Sequence, residues 1–215
     1  MTRTRIKFCG ITRMQDAQAA VALGVDAIGL VLTRKSPRFI EVAQAREIRR
    51  ALPPLITAVA LFMDDEPAWI ATAIDAIAPD LLQFHGTESA ADCVRYGRRY
   101  LKSVPMGGDA DVQGSMFMHP AAAGFLLDGH APGEQGGRGI SFDWSRIPPN
   151  LQRPVLLAGG LTCDNVASAI RAARPYAVDV SSGIESGGIE SVPGVKDIDK
   201  MRRFVEEVQR ACSKS

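Results

Sequence analysis

The chain predicts an α/β fold, a single (β/α)8 TIM barrel over residues 1–215, and three observations carry that expectation. Eight short apolar runs recur at intervals of about 20 to 30 residues, at 6–9, 27–32, 57–62, 81–85, 101–104, 124–128, 155–158 and 177–180. Between most of them lie helical patterns with apolar positions three and four apart, at 12–23, 42–52, 66–77, 89–98, 163–174 and 197–211. No hairpin signal joins consecutive runs, so the strands are parallel and their crossovers right-handed.

A parallel sheet is covered on both faces, which leaves an open doubly wound sheet or a closed barrel. An open dinucleotide fold wants G-x-G-x-x-G after its first strand, whereas only Gly10 follows Cys9 before Ile11 and Thr12. Eight strands therefore favour the barrel, with little length left for a second domain. Two segments break the rhythm. Residues 107–120 are too glycine-rich and interrupted for a full helix, so the fifth outer helix is expected to be short or absent. Residues 130–139 read as a long polar loop, a kind that usually carries function after a barrel strand.

Composition excludes several classes. Lys and Arg number 25 against 24 Asp and Glu, so nothing draws the chain to nucleic acid. The basic pairs Arg49-Arg50, Arg98-Arg99 and Arg202-Arg203 fall in or near the ends of expected helices, where cations complement the dipole. The four cysteines, Cys9, Cys93, Cys163 and Cys212, form no C-x-x-C pair and have no histidine at zinc-finger spacing. Neither a metal site nor a disulfide framework is implied, and a reducing cytoplasm is the expected location. No run approaches the roughly 18 apolar residues of a membrane helix.

Chemistry in such a barrel is expected at the carboxyl ends of the strands. Cys9 ends the first run and Asp128 the sixth, which places a thiol and a carboxyl on one rim. Alternation along the first strand puts Lys7 and Cys9 inward, and the buried lysine requires an anion, either Asp26 or Asp179. A cation beside Cys9 favours thiolate, the form able to act as a base; equally, a buried cysteine can simply fill space. Asp128 would serve as a general acid if poor solvation raised its pKa, or it is an ordinary turn aspartate. His85, on the face of Gln83, is open to reading as a proton relay, a donor to substrate or a structural imidazole. Gly159-Gly160 and Ser181-Ser182-Gly183 end the last two strands, where barrels commonly cradle phosphate on bare amides. Arg38, just past the second strand, offers a two-pronged grip on a carboxylate, although most loop arginines are only solvated.

Taken in order, these motifs resemble the phosphoribosylanthranilate isomerase family of tryptophan biosynthesis. The resemblance is carried by Lys7-Phe8-Cys9-Gly10-Ile11-Thr12, Lys35-Ser36-Pro37-Arg38, Leu82-Gln83-Phe84-His85-Gly86, Leu127-Asp128, residues 136–144, Ala158-Gly159-Gly160-Leu161, residues 178–183 and Gly194-Val195-Lys196-Asp197. It implies an Amadori rearrangement of N-(5'-phosphoribosyl)anthranilate to 1-(2-carboxyphenylamino)-1-deoxyribulose 5-phosphate, with no cofactor or metal. By position, the resemblance makes Asp128 the general acid on the furanose oxygen and Cys9 the general base at C2'. Arg38 would hold the anthranilate carboxylate, and amides around Gly160, Ser182 and Gly183 the phosphate. His85, Asp179, Gly159 and Ser181 complete the expected substrate contacts. A small-molecule substrate goes with it; a monomer is the default expectation where no pattern on the outer helices marks a partner, and composition already excludes a membrane or nucleic-acid partner.

Two features depart from the family pattern. Gly136-Gly137-Arg138-Gly139 carries an arginine where the family commonly has threonine, and 185–193 lengthens the last loop, which its Gly and Ser content leaves hanging in solvent. The competing readings are another phosphosugar barrel and a silent barrel that only binds phosphate ligands. The first relies on other rim groups, and the second leaves the acid and base without purpose.

Overall fold

In the computed structural model, which describes residues 3–131, 139–187 and 192–213, eight parallel strands close into one barrel in sequence order. They are β1 (Arg5–Cys9), β2 (Ala27–Val31), β3 (Thr57–Phe62), β4 (Leu81–Phe84), β5 (Tyr100–Pro105), β6 (Gly124–Asp128), β7 (Val155–Leu157) and β8 (Ala177–Val180). Each expected apolar run is a strand, and closure leaves no open edge. The seam between first and last strand sets Lys7 opposite Asp179.

The outer layer contains α1 (Met14–Ala22), α2 (Val42–Ala51), α3 (Pro67–Ile77), α4 (Ala90–Val94), α5 (Val112–Met118), α6 (Val166–Ala173) and α7 (Ile198–Ser213). The fifth helix is short, as its glycines predict. The fourth is shorter than its sequence pattern: Ser89 and Asp92 form a capping box that starts it, but it ends at Val94, ahead of Gly97 in the left-handed region. Between β6 and β7 the described residues contain only a 3₁₀ turn, Trp144–Arg146, and Phe142, Trp144 and Ile147 pack on the core in place of a helix. No helix among the described residues is long and apolar enough to cross a membrane.

Alternation divides the side chains between two cores. Ile6, Phe8, Ile28, Leu30, Ala60 and Phe62 point outward and join the buried faces of the helices in one continuous cluster. Leu101, Leu126, Leu156 and Ala177 form a separate small cluster inside the barrel. Above it the interior becomes polar, with Lys7, Gln83, Asp128 and Asp179 all buried. At the opposite rim, carboxylates secure strand entry: Asp26 accepts from the Ile6 amide and Asp80 from the Ala58 amide, each at 2.8 Å. Thus one rim is tied for stability and the other is left for chemistry.

The last helix closes the outer ring against the first strand. Phe204 meets Phe8 edge to face with centroids 6.1 Å apart, and both rings are fully buried. Replacing Phe204 by Ala removes that ring from a packed wall, so urea denaturation of the variant is expected to show a loss of about 3–5 kcal/mol.

Candidate active site

A cleft of about 760 Å³, open mouth included, occupies the carboxyl-terminal rim and is lined by residues from seven of the eight strand ends or their loops. Cys9, Arg38, His85, Asp128, Gly159, Gly160, Asp179, Ser181 and Ser182 all reach it. Gly183 does not. A Cβ there would fall 1.9 Å from the Leu161 carbonyl oxygen, so the residue packs closely between the last two loops. Gly139 joins the same wall; residues 136–138, including Arg138, lie outside the described residues.

Lys7 chooses Asp179 over Asp26. Its Nζ donates to Asp179 Oδ1 at 2.8 Å with both side chains buried, whereas Asp26 is taken by Arg3 and the Ile6 amide. Burial lowers the lysine's pKa, but the charges of Asp179 and Cys9 outweigh it and the pKa is raised. Cys9 lies next along this inward face, and Gly29 makes room for it: a Cβ there would meet Cys9 Sγ at 2.7 Å. Contrary to the expected thiolate, burial holds the Cys9 pKa above its ordinary value, with Lys7 pulling it down and Asp179 pushing it up. A pKa displaced upward favours the thiol over the thiolate.

Asp128 also reverses its expectation. Burial does push its pKa up, but His130 and His85 act more strongly together, and the carboxyl is held well below the usual carboxylate range. The two imidazoles stack with centroids 4.9 Å apart, and His85 Nε2 and His130 Nδ1 stand 3.4 and 3.5 Å from the same oxygen, Asp128 Oδ2. Neither contact meets strict hydrogen-bond geometry, so the imidazoles stand beside the carboxylate without closing on it. These three donor atoms lie within 4.8 Å of one another, a spacing that three ligands of one cation can adopt. With the Gln83 amide oriented to donate to His85 Nδ1 at 3.2 Å, however, the imidazole proton sits on Nε2, facing Asp128. In that orientation the three side chains form a proton network.

Arg38 enters the rim because Gly10, at φ +69°, leaves space for it; a Cβ there would sit 2.6 Å from Arg38 Cδ. The guanidinium is not merely solvated. Nε and Nη2 donate to Glu185 Oε1 and Oε2 at 2.7 and 2.8 Å, and Glu185 Oε1 also accepts from the Gly194 amide and Lys196 Nζ. Burial opposes charge on Glu185, but Arg38 and Lys196 win and hold its pKa at about 2. The expectation that 185–193 hangs in solvent therefore fails at its first residue, which is anchored by charge. Periodicity does not single out His130, Glu185 or Lys196, since each lies on an aperiodic loop; Lys196 enters only as part of the Gly194-Val195-Lys196-Asp197 motif, with no role assigned to it.

Residues 6–207 match the family model described as N-(5'phosphoribosyl)anthranilate (PRA) isomerase. The chain belongs to the phosphoribosylanthranilate isomerase family. It is 50% identical over 211 residues to the Pseudomonas fluorescens N-(5'-phosphoribosyl)anthranilate isomerase, covering 98% of each chain. The Thermotoga maritima phosphoribosylanthranilate isomerase structure superposes with a TM-score of 0.85 at 36% identity, covering 96% of this chain and 99% of that one. Another solved isomerase, held in complex with reduced 1-(o-carboxyphenylamino)-1-deoxyribulose 5-phosphate, gives 0.82 at 34% identity, covering 96% and 99% of the two chains. Like its family, the chain is an isomerase of tryptophan biosynthesis that carries out the Amadori rearrangement of N-(5'-phosphoribosyl)anthranilate.

Two measurements probe the isomerase's buried charges. Lys7→Met strands Asp179 without its cation and should cost about 3–5 kcal/mol in urea denaturation, much of it recovered when Asp179→Leu is added. Glu185, with its folded pKa near 2, stabilises the fold fully above the unfolded value of about 4.3, and that contribution is lost as pH falls through the folded value. The stability gap between wild type and Glu185→Gln is therefore expected to hold steady from about pH 7 to 5 and to shrink between about pH 4 and 2.

Proposed function

We propose that the rearrangement runs on this chain with Asp128 as general acid, Cys9 as general base and Arg38 as the grip on the anthranilate carboxylate. The observation that carries this reading is convergence: residues 9, 38 and 128, far apart in sequence, line one cleft whose remaining wall is Gly159, Gly160, Ser181 and Ser182. Phosphate at that wall and carboxylate at Arg38 would hold the substrate by its two ends, fixing the reacting carbons between acid and base. Asp128 protonates the ring oxygen, the C1'–O bond breaks with its electron pair going to that oxygen, and a cationic Schiff base results. Cys9 then takes the C2' proton, and the enolamine tautomerises to the ketone.

The resting charges add a condition. Asp128 rests as a carboxylate and Cys9 as a thiol, whereas the first step needs Asp128 protonated and the second needs Cys9 ionised. Both forms carry the same number of protons. One proton moved from sulfur to carboxylate converts the resting site to the reactive one without changing its net charge, so the reactive form is a minor but pH-independent share over the neutral range. Substrate favours the exchange at each end. Its anionic groups raise the cost of a charged Asp128, and the Schiff-base cation stabilises thiolate in a cleft sheltered from water.

The same reading takes residues 1–215 as one catalytic domain, working as a monomer in the cytoplasm on its small-molecule substrate without a cofactor. Closure of the barrel by its first and last strands supports the single domain, and the four free cysteines suit a reducing compartment.

Loss of phosphoribosylanthranilate fluorescence in the purified protein tests the assignment. Cys9→Ala and Asp128→Asn should each lower kcat by about 10²- to 10⁴-fold while unfolding at a urea midpoint near wild type. Near-normal turnover in either would overturn its role. Arg38→Ala should act mainly on KM, and an unchanged KM and kcat would remove it from the site.

A further inference from the structure

Arg38 poses a problem of direction. A guanidinium recognises a carboxylate through one of two edges of its fork, and here the Nε–Nη2 edge is already filled by Glu185. Arg38 borders the cleft but Glu185 does not, so the internal carboxylate lies behind the arginine and leaves the outer Nη1–Nη2 edge for a ligand. Glu185 is not a competitor for the site.

The carboxylate is itself held from behind. Lys196, whose side chain is fully buried, donates from Nζ to Glu185 Oε1 at 3.0 Å and to the carbonyl oxygen and Oγ of Ser181 at 3.1 and 3.4 Å. The Gly194 amide supplies a further bond to Glu185 Oε1 at 2.9 Å. Backbone bonds lock this loop's two arms together, Ser186 to Val195 at 3.0 Å and Asp197 to Ile184 at 2.9 Å. It is fastened to the first helical turn as well: Thr12 Oγ1 donates to the Gly194 carbonyl at 2.8 Å, and Asp16 accepts from the Lys196 amide at 3.2 Å. An unbroken chain of contacts thus runs from Arg38 through Glu185 and Lys196 to Ser181, on the wall assigned to phosphate.

We propose that Glu185 and Lys196 form a buried brace that sets Arg38 against the Ser181–Ser182 wall, making Glu185 a positioning residue for recognition of the substrate's carboxylate. This rests on the reading of Arg38 as the carboxylate grip. An arginine on a surface loop has several rotatable bonds and would lose much of its selectivity to their freedom. With one edge clamped, the guanidinium plane is fixed before substrate arrives, and its distance from the phosphate wall is fixed by the same contacts. The brace therefore selects for an anion pair of set separation.

Binding of two probes decides the matter: the reduced 1-(2-carboxyphenylamino)-1-deoxyribulose 5-phosphate analogue, and the same compound built on aniline, which has no carboxyl group. Wild type should prefer the first by about 10- to 100-fold, the worth of a charged hydrogen-bonded contact. In Glu185→Gln, which keeps the side chain's shape, that preference should fall towards unity with affinity for the aniline compound unchanged. KM for phosphoribosylanthranilate should rise about 10-fold with kcat within a few-fold of wild type. Glu185→Asp, which keeps the charge, should recover part of the preference. A wild-type preference retained in Glu185→Gln, or a kcat that collapses with KM unchanged, would overturn the brace. If Arg38→Ala keeps the preference, or wild type has none, the grip reading itself fails and takes the brace with it; loss in Arg38→Ala with retention in Glu185→Gln defeats the brace alone.

Discussion

The ion pair between Lys7 and Asp179 is the constraint on which the active rim depends. A lysine pointing into a barrel is untenable unless an anion stands at its height, and β1–β8 pairing sets Asp179 directly opposite. The pair spans 172 residues of sequence, so it exists only when the barrel is closed. Closure and electrostatics are then one event. Forming the last seam both removes the open sheet edges and neutralises the buried charge, and Cys9, next on the inward face, acquires a balanced rather than a simply positive neighbourhood. The raised thiol pKa follows from that balance together with burial.

The other half of the rim is organised by the opposite logic. Asp128 is surrounded by groups that favour its charge, two stacked imidazoles near one oxygen, and so its proton leaves although it is buried. One site thus stores a proton on sulfur and a charge on a carboxylate, the reverse of what the chemistry consumes. In the mechanism proposed above, reactivity arises from transfer between them, which would let a thiol and a carboxyl share acid–base work near neutral pH although their ordinary pKa values are far apart.

Most of the architecture was legible because it depends on local pattern. Apolar runs at regular spacing placed all eight strands, and the glycines of 107–120 marked the short fifth helix. Where packing overrides pattern the sequence was less informative: Phe142 and Trp144 cover the core after β6 without helical periodicity, and Gly97 lies just beyond the early end of α4. Cys9 and Asp128 were readable as candidates from their position at strand ends, and Arg38, on the loop after β2, through the family resemblance. The protonation states of the first two were not, since those depend on neighbours brought in from elsewhere. His130 and Glu185 were marked only as the first residues of two long loops, not as site residues. Each is a single polar residue on a loop, and its value comes wholly from a contact made across the fold.

That distribution has a physical cause. Strand ends are positioned by the barrel, so a residue placed there is already aimed at the cleft and needs little support. A loop arginine is not so aimed, and Arg38 is given its direction by a carboxylate from the far end of the chain. The cost is a buried cluster of charges, which is weak as a source of stability but strong as a source of geometry. Rigid direction matters in the proposed mechanism because its two steps act at adjacent carbons, C1'–O cleavage first and proton removal from C2' second. A substrate held at only one end could rotate C2' away from Cys9 once the ring has opened and the sugar has become a flexible chain. In the proposed binding mode, holding carboxylate and phosphate at a fixed separation keeps that chain stretched across the cleft while the second transfer takes place.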